Sequence, residues 1–123
     1  MASRLIFLAV LVAACTSAAP PTGPNQVALK TQPSGLMCMQ ALTGGQLVAD
    51  PGSGVGLGTA GGPVEHLRWP PGWSARADTG SIAIIDANGA AVAHIGDTVQ
   101  LGGGGGSDGW DVCHVQVVVP SPA

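Results

Sequence analysis

Leu67-Arg68-Trp69-Pro70-Pro71-Gly72-Trp73 holds two of the three tryptophans of the chain around a diproline. The two prolines remove two backbone donors, and the residue before a proline is driven to extended backbone, so no helix runs through this segment. Trp69 therefore ends a strand, and Pro71-Gly72 fits the central pair of a type II turn. Leu67 and Trp69 share one face of that strand, while His66 and Arg68 share the other. With one phenylalanine and no tyrosine in 123 residues, the rest of the core must be Val, Ile, Leu and Ala packed against Trp69. That length allows one domain, and 20 glycines favour short strands and turns over long helices.

Further strands are expected at Gln46–Ala49, ending in the turn Asp50-Pro51-Gly52, and at Val64–Trp69, with Ser74 to Asp78 continuing in extended form after the diproline. Ser53 to Pro63 reads as a mobile Gly-rich loop. Ile82–Ile95 reads as a hairpin, because Asn88-Gly89 between apolar runs favours a type I′ turn. In that register Ile84 faces Ala93, Ile82 faces Ile95, and Ile85 faces Val92. A four-residue loop from Ala87 to Ala90 keeps the same pairs. Thr98–Leu101 follows, with Asp97 either displaced by a bulge at Gly96 or half-buried and capping backbone amides. Gly102–Gly106 reads as a flexible loop. Val112–Val119 is the last strand, with Cys113, Val115, Val117 and Val119 on one face, and Pro120 and Pro122 end pairing.

The N-terminus is a different kind of segment. Arg4 precedes an apolar run, Leu5–Val12, too short to span a bilayer, which is the pattern of a secretory signal. The run ends in Leu11-Val12-Ala13-Ala14-Cys15 and resembles the lipobox of bacterial lipoproteins. That resemblance implies a signal peptide over 1–14. The thiol of Cys15 would take a diacylglycerol group, and a further acyl chain such as palmitate would be added to its amine after cleavage. Ordinary cleavage near Ala18 or Ala19 is the alternative, made awkward by Pro20. Thr16 is not the aspartate of an inner-membrane retention signal, so the expected location is the bacterial cell envelope, at the outer membrane where one exists. Residues 15–35 are rich in Pro, Ser, Thr, Ala and Gly and read as a lipidated flexible tether. The folded domain is expected over 36–119, with 120–123 a tail.

About six short strands and no helix suggest an all-β fold, a small five- to six-stranded OB-like barrel, closed or partly open, since closure removes exposed edges. Trp69-Pro70 with Gly72, then Asp86 and Gly89, Gly96-Asp97 and Gly102-Gly103, is similar to small β-barrel domains of uncharacterised bacterial secreted proteins and lipoproteins. The similarity covers about residues 44–117. It consists mainly of turn residues and implies a fold rather than an activity.

With Cys15 assigned to lipid, Cys38 and Cys113 remain as an even pair in an exported chain, which points to a disulfide. The competing reading is a soft-metal site at Met37-Cys38-Met39, although alternation on a strand would send the methionines away from the thiol. His66, His94 and His114 could bind zinc if the strands brought them together, yet no close pair supports it. Asp86-Ala87-Asn88-Gly89 and Asp108-Gly109-Trp110-Asp111 offer oxygen ligands without a recognised calcium spacing. Beyond Arg4, only Lys30, Arg68 and Arg76 stand against seven acids, which argues against nucleic-acid binding. No nucleophile-elbow pattern or catalytic carboxylate pair is present, so no catalytic residue and no cofactor is expected. Trp73 and Trp110 are the candidate contacts for an external ligand. The expected function is that of a lipid-anchored, non-enzymatic envelope domain binding an unidentified partner or ligand. The alternative is a metal-binding or metal-dependent lipoprotein using His or Met/Cys ligands.

Overall fold

A computed structural model describes residues 26–122 apart from 60 and 107; the signal peptide, the lipobox and Cys15 lie outside the described residues. The strands are β1 Gln26–Val27, β2 Ala41–Asp50, β3 Gly54–Gly58, β4 Leu67–Arg68, β5 Ser74–Asp78, β6 Ser81–Ile85, β7 Ala91–His94, β8 Thr98–Gly106 and β9 Gly109–Val119. No helix occurs among the described residues, and the fold is all-β. The strands form a four-stranded sheet, β1-β5-β6-β7, and a five-stranded sheet, β3-β2-β8-β9-β4. Every pairing is antiparallel except the short β4–β9 contact. The expected five- to six-stranded barrel is therefore replaced by nine strands in two sheets, with no closed barrel among the described residues.

One core lies between the sheets. Leu47, Val55, Leu57, Leu67, Trp69, Val99, Leu101 and Val112 meet Ala75, Ile84 and Ala93 from the smaller sheet. Trp69 is the largest fully buried side chain, and its indole N–H donates to the Val55 carbonyl at 3.2 Å. Trp73 stacks on it with ring centroids 5.9 Å apart. Between them the type II turn forms as expected: the Trp73 N–H donates to Pro70 O, and Gly72 takes φ 83°.

Three segments expected to be loose are ordered by backbone pairing. Residues 26–32, assigned to the tether, instead place β1 against β5 and thread between the elements of the core. Lys30 N–H donates to Ser53 O, Trp69 N–H to Lys30 O, and Gln32 N–H to Trp69 O. The Gln32 side-chain amide then donates to the carbonyls of Arg68 and Val112. The loop expected from Ser53 contains β3, paired along its length with β2. The glycine run is the second half of β8, paired with β9 along its length and with β2 at Gly102 and Gly103.

The glycine run is a strand because other residues supply the side chains. A Cβ at Gly104 would collide with Met39, and one at Gly105 would touch the Trp110 ring at 3.5 Å. A Cβ at Gly103 would strike the Asp111 carbonyl. Met39 and Trp110 thus lie across bare backbone that any larger residue would obstruct.

Among the described residues, irregularities reset the register at three places: one in β6–β7 and two in β8–β9, the outer of which leaves Val118 unpaired between Val117 and Val119. Gly102 pairs with His114 but Gly103 pairs with Val112, leaving Cys113 as the extra residue on β9. Its phase shift buries Val112, which strict alternation from Cys113 would have placed outward. In the hairpin, Ile84 faces Ala93 as expected, but a bulge at Val92 pairs Ile85 with Ala91. The turn is not type I′: only Gly89 has positive φ, and Gly89 N–H donates to Asp86 O while Asp86 N–H donates to Ala90 O. That is a type I turn followed by a glycine bulge. The Asp86 carboxylate stabilises it by accepting from the N–H groups of Asn88 and Ala90. Asp97 takes the capping role: buried, it accepts from His94 N–H at 2.8 Å and Ser121 N–H at 2.6 Å.

Candidate functional site

The densest polar cluster sits where the β2–β3 turn meets β4. Asp50 ends β2 and is buried, and Pro51-Gly52 turns the chain so that Gly52 N–H donates to Asp50 Oδ1 at 3.1 Å. Ser53 Oγ lies 2.5 Å from Asp50 Oδ2, and His66 Nδ1 lies 2.5 Å from the same oxygen. Ser53 Oγ also accepts from Leu67 N–H. Gly52 is small enough to let the imidazole in, since a Cβ there would meet the His66 ring at 2.7 Å.

Asp, His and Ser in contact raise the question of nucleophilic catalysis. In a working triad the histidine separates the two oxygens, with the serine within reach of the nitrogen that the carboxylate does not hold. Here the serine bonds the carboxylate directly and is only 2% exposed. The geometry is that of a turn lock joining β2, β3 and β4, with a half-exposed imidazole over it.

Burial alone would raise the Asp50 carboxyl, but the hydrogen bonds from His66, Ser53 and Gly52 outweigh it and hold the group below its ordinary value of 3.8. A carboxyl depressed in the folded state adds stability above its unfolded pKa and loses it as pH falls through the folded one. Unfolding free energy is therefore expected to fall below about pH 4, and Asp50→Asn should flatten that acid limb. Denaturant titrations of both proteins between pH 7 and pH 2.5 measure it. Equal acid sensitivity in the two would contradict the lock.

Arg68 points the other way along β4 and forms a two-pronged pair with Asp111, at 2.5 and 2.7 Å, both side chains about a quarter exposed. The Asp111 hydrogen bond outweighs the cost of partial burial and raises the guanidinium further above its ordinary value. The pair fixes the parallel β4–β9 register and occupies the carboxylate considered for calcium.

The three histidines do not come together as a ligand set. His66 faces Asp50, His94 lies 3.9 Å from Asp97, and His114 faces Gly102 on the outside of β8 and β9. No group of three or more His, Cys, Asp or Glu side chains able to hold a metal occurs among the described residues. Cys38 and Cys113 are joined as a disulfide with Cα atoms 5.8 Å apart, so Met37-Cys38-Met39 has no thiolate to offer copper. Trp73 is half-buried on Trp69, and Trp110 is half-buried over the glycine strand with its indole N–H enclosed and unpaired among the described residues.

The disulfide also builds a surface that sequence reasoning missed. The bulge at Cys113 meets the exposed segment before β2, and a groove of about 380 Å3 opens beside the bridge between Met39, Leu42, Gly102 and His114. A second hollow, of about 540 Å3, lies over Gly44, Gln46, Val48 and Gly58. The signal for the first is present in the sequence as Leu36, Met37 and Met39 around Cys38, of which the soft-metal reading takes up only the two methionines, as sulfur ligands. No family model, no curated protein and no solved structure matches this chain.

Proposed function

We propose that this chain is a lipid-anchored, non-enzymatic β domain of the bacterial cell envelope that holds a binding surface close to the membrane. One observation carries the reading. Of three cysteines, Cys38 and Cys113 pair with each other, which leaves Cys15, at the end of Leu11-Val12-Ala13-Ala14, as the odd thiol. A disulfide suits an exported chain, and a diacylglyceryl group with a further acyl chain gives the two-signal anchoring that one chain alone does not. The polar cluster around Asp50 supports a structural use of its Ser and His, because each is engaged in holding the turn.

Replacing Cys15 with serine should move the protein out of the membrane fraction or leave it as unprocessed precursor. Fractionation with immunodetection of the full chain reads this. An unchanged membrane fraction would contradict the anchor.

A further inference from the structure

The largest exposed apolar side chains cluster beside the disulfide. Leu36, Met37, Met39 and Leu42 are 52%, 91%, 63% and 68% exposed. Single exposed apolar residues are ordinary, but four within seven positions, beside an apolar groove, mark a contact surface. The bridge from Cys38 to Cys113 pins the middle of this segment to β9, and Met39 is seated over Gly104. The patch is thus presented by a held backbone.

The charge pattern selects the occupant. From Thr31 to Ala49 no residue is charged, and none is from Val99 to Gly106; Asp111, opposite Gly104 on β9, is held in its pair with Arg68, and among the described residues His114 is the one titratable group lining the groove. A protein partner chosen by ion pairs would find no unpaired charge in the groove, and an anionic surface would find no free cation there. A neutral lipid interface asks for neither. Gln26 is eleven residues past Cys15, so the connection spans at most about 40 Å. A domain of this size is roughly 30 Å across, and any of its faces can reach the bilayer that holds the anchor.

We infer that the Leu36–Leu42 patch docks on the surface of the membrane, its apolar side chains entering the interface of zwitterionic lipid. This deepens the anchored reading and rests on it for its role in the cell. Docking orients the domain and turns the opposite surface towards the periplasm or exterior. The patch by itself binds weakly, and the anchor makes the contact effectively intramolecular.

The test uses the oxidised mature chain with Cys15→Ser, which carries no lipid, and vesicles of phosphatidylcholine in the low-millimolar range. Co-sedimentation is expected to show partitioning that Met37→Asp with Leu42→Asp reduces about tenfold or more. Adding phosphatidylglycerol should not strengthen it. Both substituted side chains are exposed, so an unchanged denaturation midpoint verifies that the variant is folded. Absence of partitioning, or equal partitioning of the variant, overturns the proposal. So does a lipid-independent dimer in sedimentation velocity that Met37→Asp dissociates, which would make a second copy the occupant. Because no lipid anchor takes part, these results are independent of the fractionation of the Cys15→Ser protein in cells.

Discussion

Serine at both Cys38 and Cys113 is expected to lower the unfolding free energy by about 4 kcal/mol. The bridge spans 75 residues, and the chain-entropy estimate for a loop of that length is about 4.5 kcal/mol. Strain or residual structure in the unfolded state would reduce this. The effect is large against the 5–15 kcal/mol, to order of magnitude, that small domains possess. Its location adds a local consequence. Cys38 holds the exposed segment that leads into β2, and Cys113 is the bulged residue of β9. Losing the bridge should therefore free residues 36–40 even where the sheets remain folded. Urea titration of the oxidised protein and the double variant measures the first effect, and hydrogen exchange at Ala41 and Leu42 measures the second. A stability change below about 1 kcal/mol would show that the bridge is incidental.

Trp69→Ala is expected to cost about 3–5 kcal/mol. Its indole is fully buried among residues of both sheets, and truncation leaves a cavity, a Val55 carbonyl with only the Ser53 hydroxyl beside it, and Trp73 without its stacking partner. Trp69→Phe separates these contributions. It keeps most of the apolar volume and loses the N–H donor, so roughly 1–3 kcal/mol is expected from the lost hydrogen bond and the residual void. Trp73→Ala should cost less than Trp69→Ala, because Trp73 is half-buried. The order Trp69→Ala, Trp69→Phe, Trp73→Ala in urea midpoints tests the placement of Trp69 at the centre of the core. A reversal of the two alanine variants would contradict it.

Features set by local chemistry were legible in the residues themselves. Pro71-Gly72 forms its type II turn, Leu67 and Trp69 are both buried, Ile84 meets Ala93, and Asp97 caps backbone amides. Each follows from a fixed φ, a two-residue period or the cost of a bare buried carboxylate. The Cys38–Cys113 pairing followed from parity and compartment. What escaped depends on residues distant in sequence. Gly102–Gly106 has no side chains to alternate, so its strand character comes from Met39, Trp110 and the flanking strands. Residues 26–32 carry only two large apolar side chains, Val27 and Leu29, which pack against the core, and the rest of their order comes from main-chain bonds and the two carbonyls reached by Gln32.

The barrel expectation failed for a related reason. Counting strands by runs of large residues misses β1, which is two residues long, and β3, where Val55 and Leu57 are buried but alternate with bare glycines, and among the described residues nine strands form two sheets instead of one closed ring. The bulges at Val92 and Cys113 are equally invisible to periodicity, yet the second aims Cys113 at Cys38. At the site, Asp50, Ser53 and His66 belong in the sequence to a turn, a Gly-rich segment and a strand. Only the return of β4 beside the turn unites them, and sequence separation hid that.

Intact mass spectrometry of the mature protein, purified from its host without reductant, tests the central claim most directly. The account expects a chain beginning at Cys15 that carries a diacylglyceryl group, with a mass two hydrogens short for one disulfide, and with peptides linked through Cys38 and Cys113. A chain beginning near Ala18 or Ala19, or an unmodified Cys15, would contradict it.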